Sequence, residues 1–490
     1  MKKIVVIGSG IGGSGIGALI SKESSNEVIL FEKSDLIGGR CASYKRVDDK
    51  GREWIFDVGC HIFSTCDKGP LGEILDRCDK GNAIKWSYAG PKVNMMGAEV
   101  TGRRRKKRRK KPEKEGMIEK KMNAMEYIYN IRLEESFKYD TITLKDFFDN
   151  LRQSEGIKVN NLLFSMSSYI FFGTSLETTS AGEFIRCFAS NYLNKSNGYP
   201  LGGTGAIPEV YCNIIEENGG KVLKGKEGNV KKIVIEENQV SGVEVGQDNK
   251  FYEADMVIAN SDIKTTVFNL VGDSYFSEEY IQYIKQLKFG GQGCSLKIGL
   301  NKSVLDYKML MYIPKIELKG KSLNDVDIKE MFYDSDKIPD LVPILIVPIT
   351  NHDPSLAPEG CQTLHCVAVT KLDGTKEWSE DEEKQFEKAC LNTFLSLWPD
   401  LEDHIEIMEF MGPRMLANSF GKEGAGVGIG QIVGQVGKKR PSMISPIKGL
   451  YYCSGDAGGW GIGTELPARA ALELLEIFKK NDFENDKILR

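Results

Sequence analysis

Short apolar runs alternate with glycine-rich turns at the start of the chain. Residues 4–7 form a β-branched apolar run after two lysines, and this pattern predicts a buried strand. Gly8, Gly10 and Gly13 follow at once and open a stretch of small residues that predicts a helix. A second apolar run, EVILFEK, predicts a strand that ends in Glu32. The chain therefore begins with a strand, a tight turn, a helix and a second strand.

This order of elements gives the glycine spacing a chemical meaning. Gly8 permits the tight turn, Gly10 lets the backbone approach a diphosphate, and Gly13 lets the helix pack against the strand. The N–H groups at the helix N-terminus then face the phosphates. A carboxylate at Glu32 accepts hydrogen bonds from both ribose hydroxyls and repels a 2′-phosphate. The dinucleotide contacts that we predict here are Gly8, Gly10, Gly12, Gly13, Glu32 and Lys33.

The middle of the chain returns to the same alternation. Residues 208–218 have the apolar spacing of a helix, which a Gly-Gly pair ends. Three β-rich runs follow, at Val222, 230–235 and 240–245. The tetrapeptide EENQ between the last two predicts a hairpin turn, and the apolar run at 254–260 predicts a further buried strand.

The last fifty residues join one more apolar run to a cluster of glycines. The segment GLYYCSGD at 449–456 predicts a strand, and 455–463 then holds five glycines and one aspartate. A helix follows, with Thr464 as its cap, Pro467 in its first turn and two lysines at its end. A flexible tail would not lead into an amphipathic helix. We therefore interpret the glycines as backbone that lies against a ligand.

Composition is that of an ordinary soluble globular protein, with 41% hydrophobic and 27% charged residues. At 490 residues the chain exceeds the usual size of one core, so we expect two structural units. The net charge of −4 argues against a general nucleic-acid binder. It conceals nine consecutive cations at Arg103–Lys111, without which the net charge would be −13.

The basic run Arg103–Lys111 has three interpretations: a solvated loop, a contact with anionic lipid, or a contact with nucleic acid or another acidic partner. Each cation near an anionic bilayer contributes ~1 kcal/mol, so the run suffices to hold the protein at a membrane surface. Nucleic acid is the least favoured of the three because the rest of the chain is acidic.

Several classes of protein are not expected. The eleven cysteines include no CxxC pair, which is typical of a reducing compartment, and the four histidines show no metal-ligand spacing. We predict no metal. No uninterrupted apolar run reaches the ~18 residues that a spanning helix needs, and the first residues turn to glycine too soon for a signal peptide. We expect a cytoplasmic protein, either free or peripheral at a membrane.

The segment SDLIGGRCASY at 34–44 carries a resemblance to a known family. A Gly-Gly-Arg motif just after the ribose acid resembles the flavoprotein superfamily that includes the amine oxidases and the phytoene desaturases. The segments FDVGCHIF at 56–63, the glycine-rich stretch from 199, and 426–463 are similar to further landmarks of that family. The resemblance covers roughly 200 residues well and the remainder loosely.

The resemblance implies FAD as the cofactor and assigns residues to it. Gly39 and Arg40 would lie along the diphosphate, and Gly59 would bring backbone close to the flavin ring. Val230 would meet the adenine. The remaining contacts that it implies lie near the end of the chain, at Gly455, Asp456, Gly463 and Thr464. The helix after Thr464 would point its N-terminus at the N1–C2=O edge of the flavin.

The predicted fold class is α/β, with a discontinuous Rossmann-type FAD-binding domain and a second, mixed α/β substrate (cap) domain. The predicted FAD-binding segments are 1–78, 199–264 and 441–490. The predicted substrate segments are 79–198, with a basic loop at 102–121, and 265–440.

The resemblance further implies an FAD-dependent oxidoreductase acting on carbon–carbon bonds of a hydrophobic, isoprenoid or carotenoid-like substrate. Desaturation, saturation and isomerisation all remain open, as does the electron acceptor, which could be a quinone, oxygen or NAD(P). His61 and Glu465 are the candidate catalytic residues, because both segments are expected beside the flavin. An amine-oxidase-like oxidation of C–N bonds and a non-catalytic flavin-binding protein are the alternatives.

Overall fold

The structure, a computed structural model, describes residues 1–89, 94–96, 100–101, 123–314, 316–317, 325–332, 337–370 and 376–480. Its strands are β1 (Lys3–Ile7), β2 (Glu27–Glu32), β3 (Ser43–Val47), β4 (Glu53–Asp57), β5 (Trp86–Tyr88), β6 (Asn94–Met96), β7 (Val100–Thr101), β8 (Gly198–Pro200), β9 (Lys221–Lys224), β10 (Val230–Glu236), β11 (Gln239–Val245), β12 (Lys250–Glu253), β13 (Met256–Ala259), β14 (Gly293–Leu300), β15 (Leu310–Tyr312), β16 (Ile316–Glu317), β17 (Ile344–Pro348), β18 (Gln362–Val369), β19 (Ile405–Met411) and β20 (Leu450–Tyr452).

The helices follow the same chain order. They are α1 (Ile11–Glu23), α2 (Pro70–Arg77), α3 (Ala124–Asn130), α4 (Leu133–Ser136), α5 (Leu144–Ser154), α6 (Asn161–Phe172), α7 (Ala181–Asn194), α8 (Ala206–Glu217), α9 (Glu278–Gln286), α10 (Ile328–Phe332), α11 (Glu380–Leu397), α12 (Pro413–Phe420) and α13 (Glu465–Lys480). The helix and strands predicted at the start of the chain, the 208–218 helix and the terminal helix are all confirmed, with bounds shifted by a few residues.

A five-stranded sheet in the order β20-β13-β1-β2-β9 combines the start, the middle and the end of the chain. Every neighbouring pair in it is parallel. A parallel sheet must be covered on both faces, because its strands are joined by crossovers that lie on those faces. The predicted α/β fold class with a Rossmann-type sheet is confirmed.

The side chains of β1 show how the layers pack around this sheet. Ile4 and Val6 point into the core formed with the helices α1, α2, α8 and α13. Val5 and Ile7 point the opposite way, into a core shared with the antiparallel sheet β10-β11-β12. Successive side chains of a strand alternate between faces, so one apolar run supplies both cores. The result is a helix layer, the parallel sheet and a small antiparallel sheet.

The hairpin predicted between β10 and β11 is confirmed. Its two turn residues, Glu237 and Asn238, have φ angles of 48° and 60°. Two consecutive positive φ values are typical of the two-residue turn that matches the twist of antiparallel strands.

A second sheet has six strands in the order β19-β14-β18-β17-β15-β6. Its pairs are antiparallel except for the parallel pair of β15 and β6. One face packs on α11, and the other packs on α6 and the apolar side chains around it. The helices α3, α5, α6 and α7 add a separate apolar cluster.

The two sheets relate to the predicted segments in a simple way. The parallel sheet takes strands from all three predicted FAD-binding segments, and the six-stranded sheet takes strands from both predicted substrate segments. The limits between the segments stay predictions. The basic run Arg103–Lys111 and the whole predicted loop at 102–121 lie outside the described residues.

Candidate functional site

A cleft of about 340 Å³ lies at the edge of the parallel sheet where the strands β1, β2, β13 and β20 end. Parallel strands present their carboxyl ends at the same edge, and ligands of open α/β sheets bind outside that edge. Ile7 and Glu32, the last residues of β1 and β2, line the cleft. Asn260, directly after β13, lines it as well. The sheet topology therefore brings distant parts of the chain to one site.

The turn after β1 needs glycine for two separate reasons. Gly8 has a φ of +96°, a conformation that side chains rarely adopt. A Cβ at Gly10 would lie 2.7 Å from the Asn260 Nδ2, so only glycine fits beside that amide. Gly8 and Gly10 line the cleft. The backbone at the turn is therefore bare where a ligand would approach it.

Gly12 and Gly13 lie behind the cleft lining and serve the packing of α1. A Cβ at Gly13 would collide with the carbonyl oxygen of Gly8, and one at Gly12 would collide with the carbonyl oxygen of Cys453. The third glycine of the motif thus sets the close approach of α1 to β1, as the sequence predicts. Direct contact of these two glycines with a dinucleotide stays a prediction.

Glu32 is held at the cleft by hydrogen bonds from two neighbouring turns. Its Oε2 accepts from the N–H of Ser9 at 2.8 Å and from the Ser9 hydroxyl at 2.7 Å. Its Oε1 accepts from the N–H of Ser34 at 2.9 Å. Lys33 beside it is exposed and also lines the cleft. The carboxylate is therefore oriented before any ligand binds.

Arg40 places a half-buried positive charge on the cleft. Its Nη1 donates to the carbonyl oxygen of Gly426 at 2.6 Å. Burial lowers the pKa of the guanidinium, and Asp456 nearby opposes that shift. Gly39, with a φ of +57°, also lines the cleft. Gly59 lies outside the lining, where its N–H donates to the Arg40 carbonyl at 3.0 Å and fixes the backbone of the arginine.

Asp456 lies beneath the cleft lining, fully buried. Its Oδ1 is 2.9 Å from the Lys422 Nζ and accepts from the N–H of Ile429 at 3.2 Å, while its Oδ2 accepts from the N–H of Ile263 at 3.2 Å. Burial alone would raise the pKa of this carboxyl, but Lys422, the Ile429 N–H and Arg40 together hold it below its usual value. Asp456 therefore stabilises the cationic wall of the cleft from behind.

Lys422 is a cleft residue that the sequence does not reveal. It lines the cleft on a segment of four successive residues with positive φ, from Gly421 to Gly424. A positive φ is unfavourable for Lys422 and Glu423, so the surrounding structure must hold them there. Burial lowers the pKa of the lysine, and Asp456 opposes the shift. The only sequence signal is the pair of glycines that flank it.

The cleft is also lined by residues that are distant in sequence. Val230, at the start of β10, lines one part, and Gly455, Gly463 and Thr464, before α13, line another. The carbonyl of Thr464 accepts the first hydrogen bond of α13, from the N–H of Ala468 at 3.3 Å. The small antiparallel sheet and the residues before α13 thus contribute to the same cleft.

The two candidate catalytic residues flank the cleft lining. His61 follows the lining residue Cys60, and its Nδ1 lies 3.1 Å from the carbonyl oxygen of Gly59. Glu465 follows Thr464, and its Oε1 accepts from the Thr65 hydroxyl at 2.6 Å. Burial lowers the pKa of His61 and raises that of Glu465. Both shifts favour the neutral side chain.

Two further expectations concern metals and membranes. In the part of the chain that the structure describes, no group of three or more His, Cys, Asp or Glu side chains is arranged to hold a metal ion. No helix among the described residues is long and apolar enough to cross a bilayer.

Residues 6–78 match the family of NAD(P)-binding Rossmann-like domains. The chain is 26% identical over 520 residues to an all-trans-retinol 13,14-reductase of Danio rerio, covering 92% of this chain and 82% of the relative. It is 22% identical over 506 residues to a zeta-carotene-forming phytoene desaturase of Myxococcus xanthus, covering 97% of this chain and 94% of that protein.

The fold is shared with a solved oxidoreductase from Methanosarcina mazei, with a TM-score of 0.64 and 17% identity. The match covers 97% of this chain and 100% of that one. Together with the geometry of the cleft, these similarities indicate a site for a flavin or nucleotide cofactor.

Proposed function

We propose, because the chain is similar over most of its length to an all-trans-retinol 13,14-reductase and to a phytoene desaturase, that it uses FAD to act on carbon–carbon bonds. The substrate class that we propose is a hydrophobic, isoprenoid-type molecule. Both curated relatives are named for isoprenoid substrates.

The observation that carries the proposal is the continuity of one cleft. The residues that line it include Val230 and Glu32, Gly10 and Arg40, and Thr464. An adenine and its ribose, a diphosphate and a flavin ring would each use one of these three environments. A nicotinamide dinucleotide would not need the Gly-Gly-Arg turn that brings Arg40 to the cleft.

The diphosphate would lie between a helix start and two cations. The turn before α1 presents bare backbone at Gly10, and helix N-termini favour anions. Arg40 and Lys422 stand on the same cleft. Arg40 donates to one backbone carbonyl, which leaves further N–H groups of its guanidinium for phosphate oxygens. Lys422 contributes a second positive charge beside Asp456.

The ring end would lie at the N-terminus of α13, where Gly463 and Thr464 leave room for a planar group. A bound flavin supplies the capacity to accept or donate two electrons. The partial positive charge at the start of α13 stabilises negative charge there by ~0.3–1 kcal/mol. This chain would therefore favour the reduced, anionic cofactor through its own backbone.

Reactions at carbon–carbon bonds also move a proton, and we assign that task to His61. The carbonyl of Gly59 faces its Nδ1, so Nδ1 carries the hydrogen and Nε2 is left as the acceptor. Burial keeps the ring neutral, as a base requires. Burial raises the pKa of Glu465, so this carboxyl stays protonated more readily than an exposed one. It would donate its proton to the substrate from the first turn of α13.

The test combines cofactor identification with product analysis. Purified protein should release FAD, identified by mass, and should lose it when Arg40 is changed to Met. The protein is then incubated with lipid extract in the presence of a quinone, oxygen or NAD(P)H, and the products are separated by mass. A desaturase removes two hydrogens, a saturase adds two, and an isomerase changes retention at constant mass.

Two outcomes would contradict the proposal. Peroxide and aldehyde formed from amines, with no change in any isoprenoid, would assign the protein to C–N oxidation. A protein that binds FAD but whose photoreduced form is not reoxidised by any of the three acceptors would be a non-catalytic flavin carrier.

A further inference from the structure

The inner face of the six-stranded sheet carries buried polar atoms without hydrogen-bond partners. Thr363 and His365 are two residues apart on β18, so they share a face. Each has at most 1% of its surface exposed. Three side-chain atoms have no hydrogen-bond partner among the described residues: the two ring nitrogens of His365 and the hydroxyl oxygen of Thr363. Buried polar atoms are nearly always paired, so these atoms require an occupant.

Lys297 faces this pair from the next strand. It lies directly opposite His365 in the register of β14 and β18, and its side chain is also buried, with 1% exposed. Its Nζ donates to the Tyr44 hydroxyl at 3.0 Å, and Tyr44 in turn donates to Glu409 at 2.6 Å. An ammonium has three N–H donors, so Lys297 can serve a further acceptor.

The cluster adjoins the proposed catalytic histidine. The ring of His61 lies 5.3 Å from the ring of His365, measured between centroids. His61 directly follows Cys60, which lines the cofactor cleft. The surroundings on the sheet face are apolar, and they include Ile62, Leu345 and Val347. We call Thr363, His365 and Lys297 the β18 polar cluster.

We propose that the β18 polar cluster binds a hydroxyl group of the substrate, which makes the substrate an isoprenoid alcohol rather than a hydrocarbon. The inference rests on the proposed function and adds to it the residues that recognise the polar end. A hydroxyl both donates and accepts, and neutral His365 and Thr363 each offer one donor and one acceptor. A hydrocarbon would leave all of these atoms unpaired.

A carboxylate fits the cluster less well than a hydroxyl. It accepts hydrogen bonds only, so it could pair with the donors of His365 and Thr363 but would leave the acceptor nitrogen of His365 unpaired. The positive charge of Lys297 is already balanced through Tyr44 by Glu409. Burial lowers the pKa of His365 well below its usual value, so this ring does not supply a second cation.

The experiment measures binding of two matched probes to the FAD-loaded protein. Geranylgeraniol and its methyl ether have the same chain, but the ether cannot donate a hydrogen bond. Each is titrated while the flavin absorbance is recorded. The parent protein should bind the alcohol at least tenfold more tightly than the ether, because sites built for a hydroxyl discriminate strongly against analogues that lack it.

Three variants assign this preference to the cluster. Thr363→Val and His365→Leu should each reduce the preference to less than threefold, while His365→Gln, which keeps a donor and an acceptor, should retain part of it. Cys366→Ala is the control, because Cys366 lies next to His365 but points into the core on the opposite face. Melting temperatures should not fall in His365→Leu, since the change removes an unpaired buried group.

The outcomes separate this inference from the proposed function. Equal binding of alcohol and ether by the parent, or a preference that survives both Thr363→Val and His365→Leu, overturns the hydroxyl site while flavin chemistry on isoprenoids stands. In that case internal water occupies the cluster. Absence of FAD and of any isoprenoid product overturns the proposed function itself.

Discussion

The Nζ of Lys422, which lines the cleft, lies 2.9 Å from the Oδ1 of Asp456, which is buried beneath the lining. Removing one member of a buried ion pair leaves the other charge without compensation. The Lys422 side chain is 10% exposed and that of Asp456 is 0% exposed, so water cannot replace the missing partner.

Lys422→Met should therefore lower the free energy of unfolding by about 3–5 kcal/mol. Chemical denaturation at neutral pH measures the loss. The control is Lys384→Met, because the pair of Lys384 and Glu380 is 2.7 Å long but largely exposed, and such pairs contribute about 0–1 kcal/mol. The double change of Lys422→Met with Asp456→Asn should recover part of the loss. Equal stability of the two single variants would contradict the structural role given to the pair.

Gly13→Ala should damage both stability and cofactor binding. The new Cβ would collide with the carbonyl oxygen of Gly8, so α1 must move away from β1. Overpacking of this kind costs ~1–3 kcal/mol or more. Gly15→Ala in the same helix is the matched control. Its Cβ would lie closest to the end of the flexible Ile74 side chain, at 3.1 Å, and at ordinary van der Waals distance from Ala471 and Tyr211. Thermal unfolding and the FAD-to-protein ratio of both variants report the difference.

Arg40→Met should weaken FAD binding roughly 10- to 150-fold, because a hydrogen bond to a charged group contributes about 1.5–3 kcal/mol. Quenching of flavin fluorescence on titration into apoprotein gives the dissociation constant. Arg132→Met is the control, since Arg132 is exposed and is not among the residues that line the cleft. The same affinity in both variants would remove Arg40 from the cofactor site.

The contribution of Lys297 to the free energy of unfolding should depend on pH in the alkaline range. Burial lowers the pKa of this lysine from 10.5 to about 8. Between these values the unfolded chain binds more protons than the folded protein, so the contribution of Lys297 to stability rises with pH. The free energy of unfolding of the parent, minus that of Lys297→Met, should therefore increase from pH 8 to pH 10.5. A difference that stays flat would show that the ammonium is not desolvated.

Deleting residues 103–111 tests whether the basic run contacts lipid. The intact protein should sediment with vesicles that contain anionic lipid, and the deletion should abolish this because each cation contributes ~1 kcal/mol at such a surface. Vesicles of neutral lipid are the control, and added salt should weaken the binding. Sedimentation unchanged by the deletion excludes the lipid contact. Retention on nucleic acid instead would favour the third interpretation of the run.

The parts of the site that are predictable from sequence are those set by local backbone geometry. The turn at Gly8 and the close packing at Gly13 follow from spacing within one strand–turn–helix unit. Lys422 was not predictable, because its partner is 34 residues away and nothing beside it marks a buried charge. Likewise Lys297 lies opposite His365 only through the register of β14 and β18. Contacts between distant parts of the chain, and not local propensity, therefore set the positions of Lys422 and His365.

The parallel sheet has a consequence for how the protein is made. Its edge strand β20, residues 450–452, is synthesised after the other four strands of the sheet. Until then β13 has an open edge, and the cleft lacks the wall that Gly455 and Thr464 supply. An unpaired strand edge is prone to join another chain. The cleft is therefore complete only after β20 and the residues that follow it have been added to the sheet.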